Sequence, residues 1–268
     1  MVFSLFFERK TKDMSYVLIT GGSEGIGRAF SMHYAHCGYD LILAARNEWK
    51  LVEIKTEIEN QYQNKVEIIP VDLSLIGNAE ELYERIKEKD VSIVINNAGV
   101  GYTDYAWNVS VCKEEQMVVL NDISLMTLTK PFVKDMKEKG KGTIINVAST
   151  GAFQPGPYIA GYYASKSFVL SYTQAIHEEV KEYGVQVYCV CPGPVKTDFY
   201  GKSGLKVPKN AMHSEKVVSY VSTHMKDKCV IVPGLLNRVV RFLPVNLKMF
   251  FVKRMKKKVL KKKKDSVA

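Results

Sequence analysis

The 268-residue chain has no apolar run long enough to cross a bilayer, no metal-ligand spacing among its cysteines, no internal repeat and no Pro/Gly/Ser-rich linker. Each absence excludes something. A membrane-spanning helix needs about 20 mostly apolar residues. The apolar stretch Val2 to Phe7 ends at Glu8 and has no basic stretch before it, so neither a span nor a signal peptide is expected there. Five cysteines (Cys37, Cys112, Cys189, Cys191, Cys229) are an odd number at irregular spacing, which predicts reduced thiols in a cytoplasmic protein and no metal site. Cys189 and Cys191 alternate along a predicted strand, so both point to one face, as core residues do. Without a linker the body reads as one domain over residues 15–232, flanked by an N-terminal extension (1–14) and a C-terminal segment (233–268).

The charge that is present is unevenly placed. The formal net charge is +10, yet residues 253–268 alone hold nine Lys/Arg against Asp265, leaving the remainder close to neutral at +2. A broadly basic surface for specific nucleic-acid binding is therefore not expected. With 46% hydrophobic and 25% charged residues, the composition is that of an ordinary globular core.

Seven short β-branched runs (Tyr16 to Thr20, Asp40 to Ala45, Val66 to Pro70, Val91 to Asn96, Thr143 to Val147, Val185 to Cys191, Val230 to Val232) alternate with helical patterns around 25–37, 48–62, 79–89, 114–136, 160–183 and 214–225. Nearly continuous apolar strands in an α/β rhythm predict a single doubly wound domain with a seven-stranded parallel sheet, its ligands bound beyond the carboxyl ends of the strands.

Two places carry chemistry. Thr20-Gly21-Gly22-Ser23-Glu24-Gly25-Ile26-Gly27 stands between the first strand and the first helix, where glycines allow a tight turn and a close approach of backbone to a pyrophosphate at the helix N-terminus. At the end of the second strand, Ala45-Arg46 offers a cation where an acid would select a free ribose 2′-hydroxyl, which favours NADP(H). Glu24 weighs mildly against this, and Asp72 is suited either to the adenine amino group or to capping the next turn. The second place is Tyr162 and Lys166, four residues apart and therefore on one helix face, with Ser149 thirteen residues before the tyrosine. An ammonium beside a phenol favours its anion and brings it toward the range useful for acid-base chemistry, while a serine can hydrogen-bond the reacting oxygen. Tyr163, three residues before Lys166, satisfies helical geometry equally well.

Taken in order, the glycine turn, Asp72-Leu73, Asn96-Asn97-Ala98-Gly99, Asn121, Ser149 with Tyr162 and Lys166, and Pro192-Gly193-Pro194-Val195-Lys196-Thr197 resemble the short-chain dehydrogenase/reductase family over roughly residues 15–232. The resemblance implies a Rossmann-type domain in which Gly21, Ser23, Gly25, Ile26, Gly27, Arg46, Asp72, Leu73, Asn97, Ala98 and Gly99 line the adenosine and phosphate side of NADP(H). Pro192, Gly193, Val195 and Thr197 would contact the nicotinamide. It further implies that Tyr162, by its separation from Ser149, is the catalytic tyrosine, that Lys166 both supports it and binds the nicotinamide ribose, and that Asn121 holds a water of the proton relay through a freed backbone carbonyl. A homodimer or homotetramer is expected by the same analogy.

The substrate is less clearly written. Aromatics in the loops 99–107, 151–161 and 199–208 (Tyr102, Tyr105, Trp107, Phe153, Tyr158, Phe199, Tyr200, with Leu205) suggest a bulky apolar carbonyl or alcohol. A hydroxysteroid or bile acid is the favoured expectation, a 3-oxoacyl thioester the alternative, and a non-catalytic NADP(H) sensor the third. The segment Leu235 to Leu260, with its apolar clusters before the lysines, is expected to be a lid or dimer contact, with a weak membrane-surface association as the alternative and the lysine run itself a solvated tail.

Overall fold

In the computed structural model, which describes residues 15–202, 207–208, 210–226 and 228–265, seven parallel strands form one sheet. The expected N-terminal extension (1–14) and Leu205 lie outside the described residues, as does the side chain of Tyr200. The strands are β1 (Tyr16–Thr20), β2 (Asp40–Ala45), β3 (Val66–Pro70), β4 (Val91–Asn96), β5 (Gly142–Val147), β6 (Val185–Val190) and β7 (Val230–Ile231), in the spatial order β3-β2-β1-β4-β5-β6-β7. Chain order reverses between β1 and β4, so the crevice outside Thr20 and Asn96 is the topological switch point where ligands bind in such sheets.

The sheet is buried on both faces, which is why its strands are nearly all apolar. Val17, Ile19, Leu41 and Leu43 point to one side, against α1 (Gly25–His36), α2 (Glu48–Tyr62) and α8 (Ser214–His224), where Phe30, Ile54, Ile58 and Val217 fill the layer. Leu18, Ile42, Val94 and Ile144 point to the other, against α3 (Asn78–Ile86) and α5 (Ser124–Lys139), where Leu82, Ile86, Leu128 and Phe132 meet them. This alternation is the period of two that a pleated strand imposes. Through the middle of the sheet runs a buried polar ladder: Asn96 Nδ2 donates to Thr129 Oγ1 (3.1 Å) and to Asn146 Oδ1 (2.9 Å), and Asn146 Nδ2 donates to Thr173 Oγ1 (3.1 Å). These bonds fix the register of β4 on β5 and of α6 (Ala160–Val180) over both.

Two helical readings are corrected. The pattern expected as one helix over 114–136 is α4 (Val111–Val118), one π turn (Val119–Ile123) and α5. The turn is closed by a bond from Ser124 N–H to Val119 C=O, five residues back. The lysine-rich end, expected as a solvated tail, is helical: after α9 (Leu235–Arg241), α10 (Val245–Asp265) runs through the lysines. Val252, Lys256 and Leu260 recur every four residues and are buried, so one stripe of α10 packs down. Lys248 Nζ fastens it by donating to the carbonyls of Phe153 (2.9 Å) and Arg241 (3.1 Å). A short helix, α7 (Phe199–Lys202), follows the Pro192 to Thr197 loop.

Candidate active site

The glycine turn is built as the sequence demands. Gly21 (φ +65°) and Gly25 (φ +53°) sit in the left-handed region that favours glycine, and a Cβ on Gly27 would be driven into the carbonyl oxygen of Gly21. Gly21 N–H donates to Ala44 C=O (2.7 Å), holding the turn to the end of β2. Across the switch point, Thr20 Oγ1 accepts from the amides of Asn97 (3.0 Å) and Ala98 (3.1 Å), and Asn97 Nδ2 donates to Thr20 C=O (3.0 Å). The four residues Asn96 to Gly99 are thus clamped against the turn. Ser23 is half-buried, and Ile26 packs on the core beneath α1. A Cβ on Gly25 would lie 2.8 Å from Thr197 Cγ2, so the Pro192 to Thr197 loop closes over the turn. Val195 pairs with Met212 in a short bridge, and a Cβ on Gly193 would strike the Asn237 side chain of α9 at 2.5 Å.

On the adenosine side, Arg46 is exposed and lies 3.8 Å from Asp72, whose Oδ1 also accepts from Ser74 N–H (3.0 Å) and Oγ (2.7 Å). Asp72 is therefore the capping residue of its own turn. Leu73 is buried, and its carbonyl accepts from Ser124 Oγ (2.6 Å), tying that turn to α5. Glu24, the mild objection to a 2′-phosphate, forms an ion pair with Lys50 of α2, and the pairing raises the lysine pKa. Lys50 was not legible in advance, because the pairing spans 26 residues and joins the glycine turn to α2. A turn without Cβ atoms at Gly21, Gly25 and Gly27, opening α1 and flanked by two cations, fits the pyrophosphate and 2′-phosphate of NADP(H).

The reacting end is assembled by α6, the end of β5 and the π turn. Ser149 follows β5 in extended backbone, and its Oγ accepts from Gly151 N–H (3.1 Å). Lys166 is buried, donates from Nζ to Val147 C=O (2.8 Å), and lies 5.9 Å from the centroid of the Tyr162 ring. Burial pushes its ammonium down to about 8, partly offset by the carboxyl of Asp122. Asn121 sits in the π turn and grips Val100 from both ends: its Oδ1 accepts from Val100 N–H (2.9 Å) and its Nδ2 donates to Val100 C=O (2.9 Å) and to Ser165 Oγ (3.0 Å). A Cβ on Gly99 would lie 3.1 Å from Asn121 Oδ1 and 3.3 Å from Lys166 Nζ, so this glycine is what lets the loop enter the centre.

The two tyrosines separate cleanly. Tyr162 is half-buried beside Gly101, with its ring 5.4 Å from that of Phe199 and on the Lys166 side of the helix. Tyr163 is wedged between Gly151 and Gly156, where a Cβ would meet its ring at 3.0 and 2.5 Å, and burial pushes its hydroxyl up to about 12. Of the two, it is Tyr162 whose ring lies beside Lys166. Beside Lys166 is a group the sequence reading missed. Asp122, the residue after Asn121, is buried, its Oδ1 has no hydrogen-bond partner among the described residues, and burial raises its carboxyl to about 7 against the opposing pull of Lys166. No spacing signal marks it, since it is the π turn that gives it this orientation.

The aromatic loops divide. Phe199 lies against Tyr162, but Tyr105, Trp107 and Tyr158 cluster on one another (ring centroids 4.8 and 5.1 Å), and Trp107 is 80% exposed. Tyr102 lies near Lys113 of α4, and Phe153 is packed in a small core cluster beneath the Arg241 guanidinium (5.1 Å). The described aromatics thus do not converge on a single pocket as expected. All five cysteines are free, and no group of metal-binding side chains occurs among the described residues.

Comparison with known proteins agrees with this geometry. The family model described as short chain dehydrogenase matches residues 15–207. The very-long-chain 3-oxoacyl-CoA reductase of Mus musculus is 26% identical over 94% of this chain and 84% of its own length. That of Bos taurus is 30% identical over 68% of this chain and 60% of its own. Among solved structures, a short-chain dehydrogenase from Sphingobium yanoikuyae in complex with NADPH superposes with a TM-score of 0.80 at 28% identity, covering 82% of this chain and 88% of that one. A 7beta-hydroxysteroid dehydrogenase superposes at 0.83, but at 22% identity the likeness is one of fold alone. By its matched residues, its sheet and its Ser149, Tyr162 and Lys166, the chain belongs to the short-chain dehydrogenase/reductase family of oxidoreductases.

Proposed function

We propose that this protein is an NADP(H)-dependent reductase of 3-oxoacyl thioesters, interconverting them with 3-hydroxyacyl thioesters. The observation that carries the thioester reading is a cavity of about 400 Å³ lined by Tyr105, Arg254, Lys257, Lys258, Leu260 and Lys261. Four cations around a largely apolar lining suit a coenzyme A type carrier, whose phosphates they would meet. A neutral sterol offers them no anion, and a bile acid a single carboxylate. Tyr105 packs on Tyr158, four residues before Tyr162, so the cavity adjoins the loop that leads into the catalytic helix. The curated relatives named above support the same substrate class. The hydroxysteroid expectation keeps only a likeness of fold.

When bound, NADPH supplies a hydride to the carbonyl carbon. Tyr162 donates its phenolic proton to the carbonyl oxygen while the Ser149 hydroxyl polarises it. Lys166, whose ammonium sits near 8, favours the resulting phenolate and helps to return its proton. Asn121 holds the Gly99 to Gly101 loop against α6, keeping the centre in register. Arg46, with Lys50 neutralising Glu24, binds the 2′-phosphate.

NADPH oxidation with 3-oxoacyl-CoA esters, the matching phosphate-free N-acetylcysteamine thioesters and a set of ketosteroids tests the proposal. We expect CoA esters to be reduced with a KM at least tenfold below that of the truncated thioesters, and Lys257→Glu with Lys258→Glu to erase that advantage. Reduction of ketosteroids alone overturns the thioester reading. Tight NADPH binding without turnover on any of them would instead mark a sensor.

A further inference from the structure

We propose that α9 and the first half of α10 dock the protein onto the surface of an anionic lipid bilayer, whichever substrate the active site takes. Of the large hydrophobic side chains exposed among the described residues, half lie in the 21 positions from Leu235 to Met255. Phe242 is 80% and Leu235 70% exposed, and Val239, Phe250 and Phe251 are more than half exposed. Scattered apolar residues are normal on a surface, but a contiguous group of this size marks an interaction site.

Charge selects the partner. From Leu235 to Lys264 the chain carries twelve Lys/Arg and no Asp or Glu. A second copy of this face would set its exposed cations, Arg238, Lys253, Arg254, Lys257, Lys258 and Lys261, against an equal number, so self-association is opposed by the charge that an anionic bilayer attracts. Nucleic acid would satisfy the cations, yet Leu235, Leu236 and Val239 offer nothing to phosphates or base edges, whereas the hydrocarbon of a bilayer would cover their exposed area. Apolar tips interleaved with Arg238, Arg241 and Lys253, and followed by a lysine run, form the pattern of a helix lying in the interface plane. The attachment is peripheral, since among the described residues no helix is long and apolar enough to cross a membrane.

The face is also held firmly to the body. α10 buries Val252, Lys256 and Leu260 and is fastened by Lys248 to the carbonyl of Phe153, four residues after Ser149. Asn237 of α9 touches Gly193 of the predicted nicotinamide loop. A bilayer engaged by this face would thus lie beside the catalytic cleft, where an apolar substrate could pass without crossing water.

Co-sedimentation of the full chain with phosphatidylcholine vesicles, with and without 30% phosphatidylglycerol, tests the proposal. Binding is expected to the anionic vesicles only, to weaken with salt, and to fall at least tenfold in a Phe242→Ser, Phe250→Ser, Phe251→Ser variant whose thermal midpoint and NADPH affinity match the parent. Equal recovery of the parent in the supernatant with and without anionic vesicles overturns it. So does undiminished vesicle binding by the serine variant together with equal binding to a DNA duplex, which would mark a simple polyanion-binding tail. A parent that sediments as a dimer and is made monomeric by the serines, without binding vesicles, would assign the face to self-association instead.

Discussion

The floor of the active site and its rim are built by different means. On the floor, position is over-determined: Asn121 holds Val100 twice and Ser165 once, Lys166 is tied to Val147, and the Asn96–Asn146–Thr173 ladder lies beneath. At the rim, Tyr105 packs on both Trp107 and Tyr158, and much of Trp107 faces solvent. Interlocking bonds leave a reacting group one place to be, which is what proton transfer requires. A rim of ring against ring, open to solvent at Trp107, can shift to suit a ligand. The reaction class is therefore a property of the floor, and the substrate a property of the rim.

Substitutions can break that division or sharpen it. The largest effect is expected on the floor: Tyr162→Phe should lower kcat about 10³-fold or more, within the range that a positioned acid contributes, whereas Tyr163→Phe should stay within a few-fold. Steady-state NADPH oxidation reads both, and a collapse at Tyr163 instead would reverse the assignment. Next, Gly27→Ala forces a methyl group into Gly21 C=O and should cost about 3 kcal/mol, the upper end of what overpacking costs elsewhere. It is checked by thermal melting and by loss of NADPH fluorescence enhancement, and an unchanged affinity would refute the cradle.

Asp122→Asn gives an intermediate effect with a definite sign. The folded carboxyl titrates near 7, above its ordinary 3.8, so its ionised form is disfavoured by the fold and the parent loses stability as pH rises through that window. The asparagine variant should therefore melt higher than the parent at pH 8, with the gap narrowing by pH 5. Because the Asp122 charge supports the ammonium of Lys166, the alkaline limb of kcat should also move down by about half a pH unit or more. A profile that does not move would sever Asp122 from the relay. The smallest effect belongs to the rim: Trp107→Ala should change stability by no more than about 0.5 kcal/mol, as exposed substitutions do, and alter KM rather than kcat.

The same division governs what the sequence made legible. All seven strands and the glycine turn stand where pattern placed them, because continuous apolar runs and obligate glycines are local signals. Tyr162 and Lys166 share one helix face, as their spacing required, and the tie between the two tyrosines was broken only by family spacing until Gly151 and Gly156 supplied a steric reason. The Asn146 amide, a polar group inside the apolar run Ile144 to Val147, could have been noticed, since a buried amide in a strand needs a partner. By contrast, the Lys50 to Glu24 ion pair and the folding back of α10 depend on contacts between distant segments. No window of sequence contains them.

The bond from Lys248 to the carbonyl of Phe153 has one more consequence. That carbonyl closes the short turn Thr150 to Phe153, in which Gly151 N–H is held by Ser149 Oγ and Ala152 N–H by Ser149 C=O. Loosening α10 would free the end of this turn, and the two amides would then trade their protons with solvent sooner. Their deuterium uptake is thus a native gauge of whether the C-terminal helix is seated, readable without an attached probe and within three residues of Ser149.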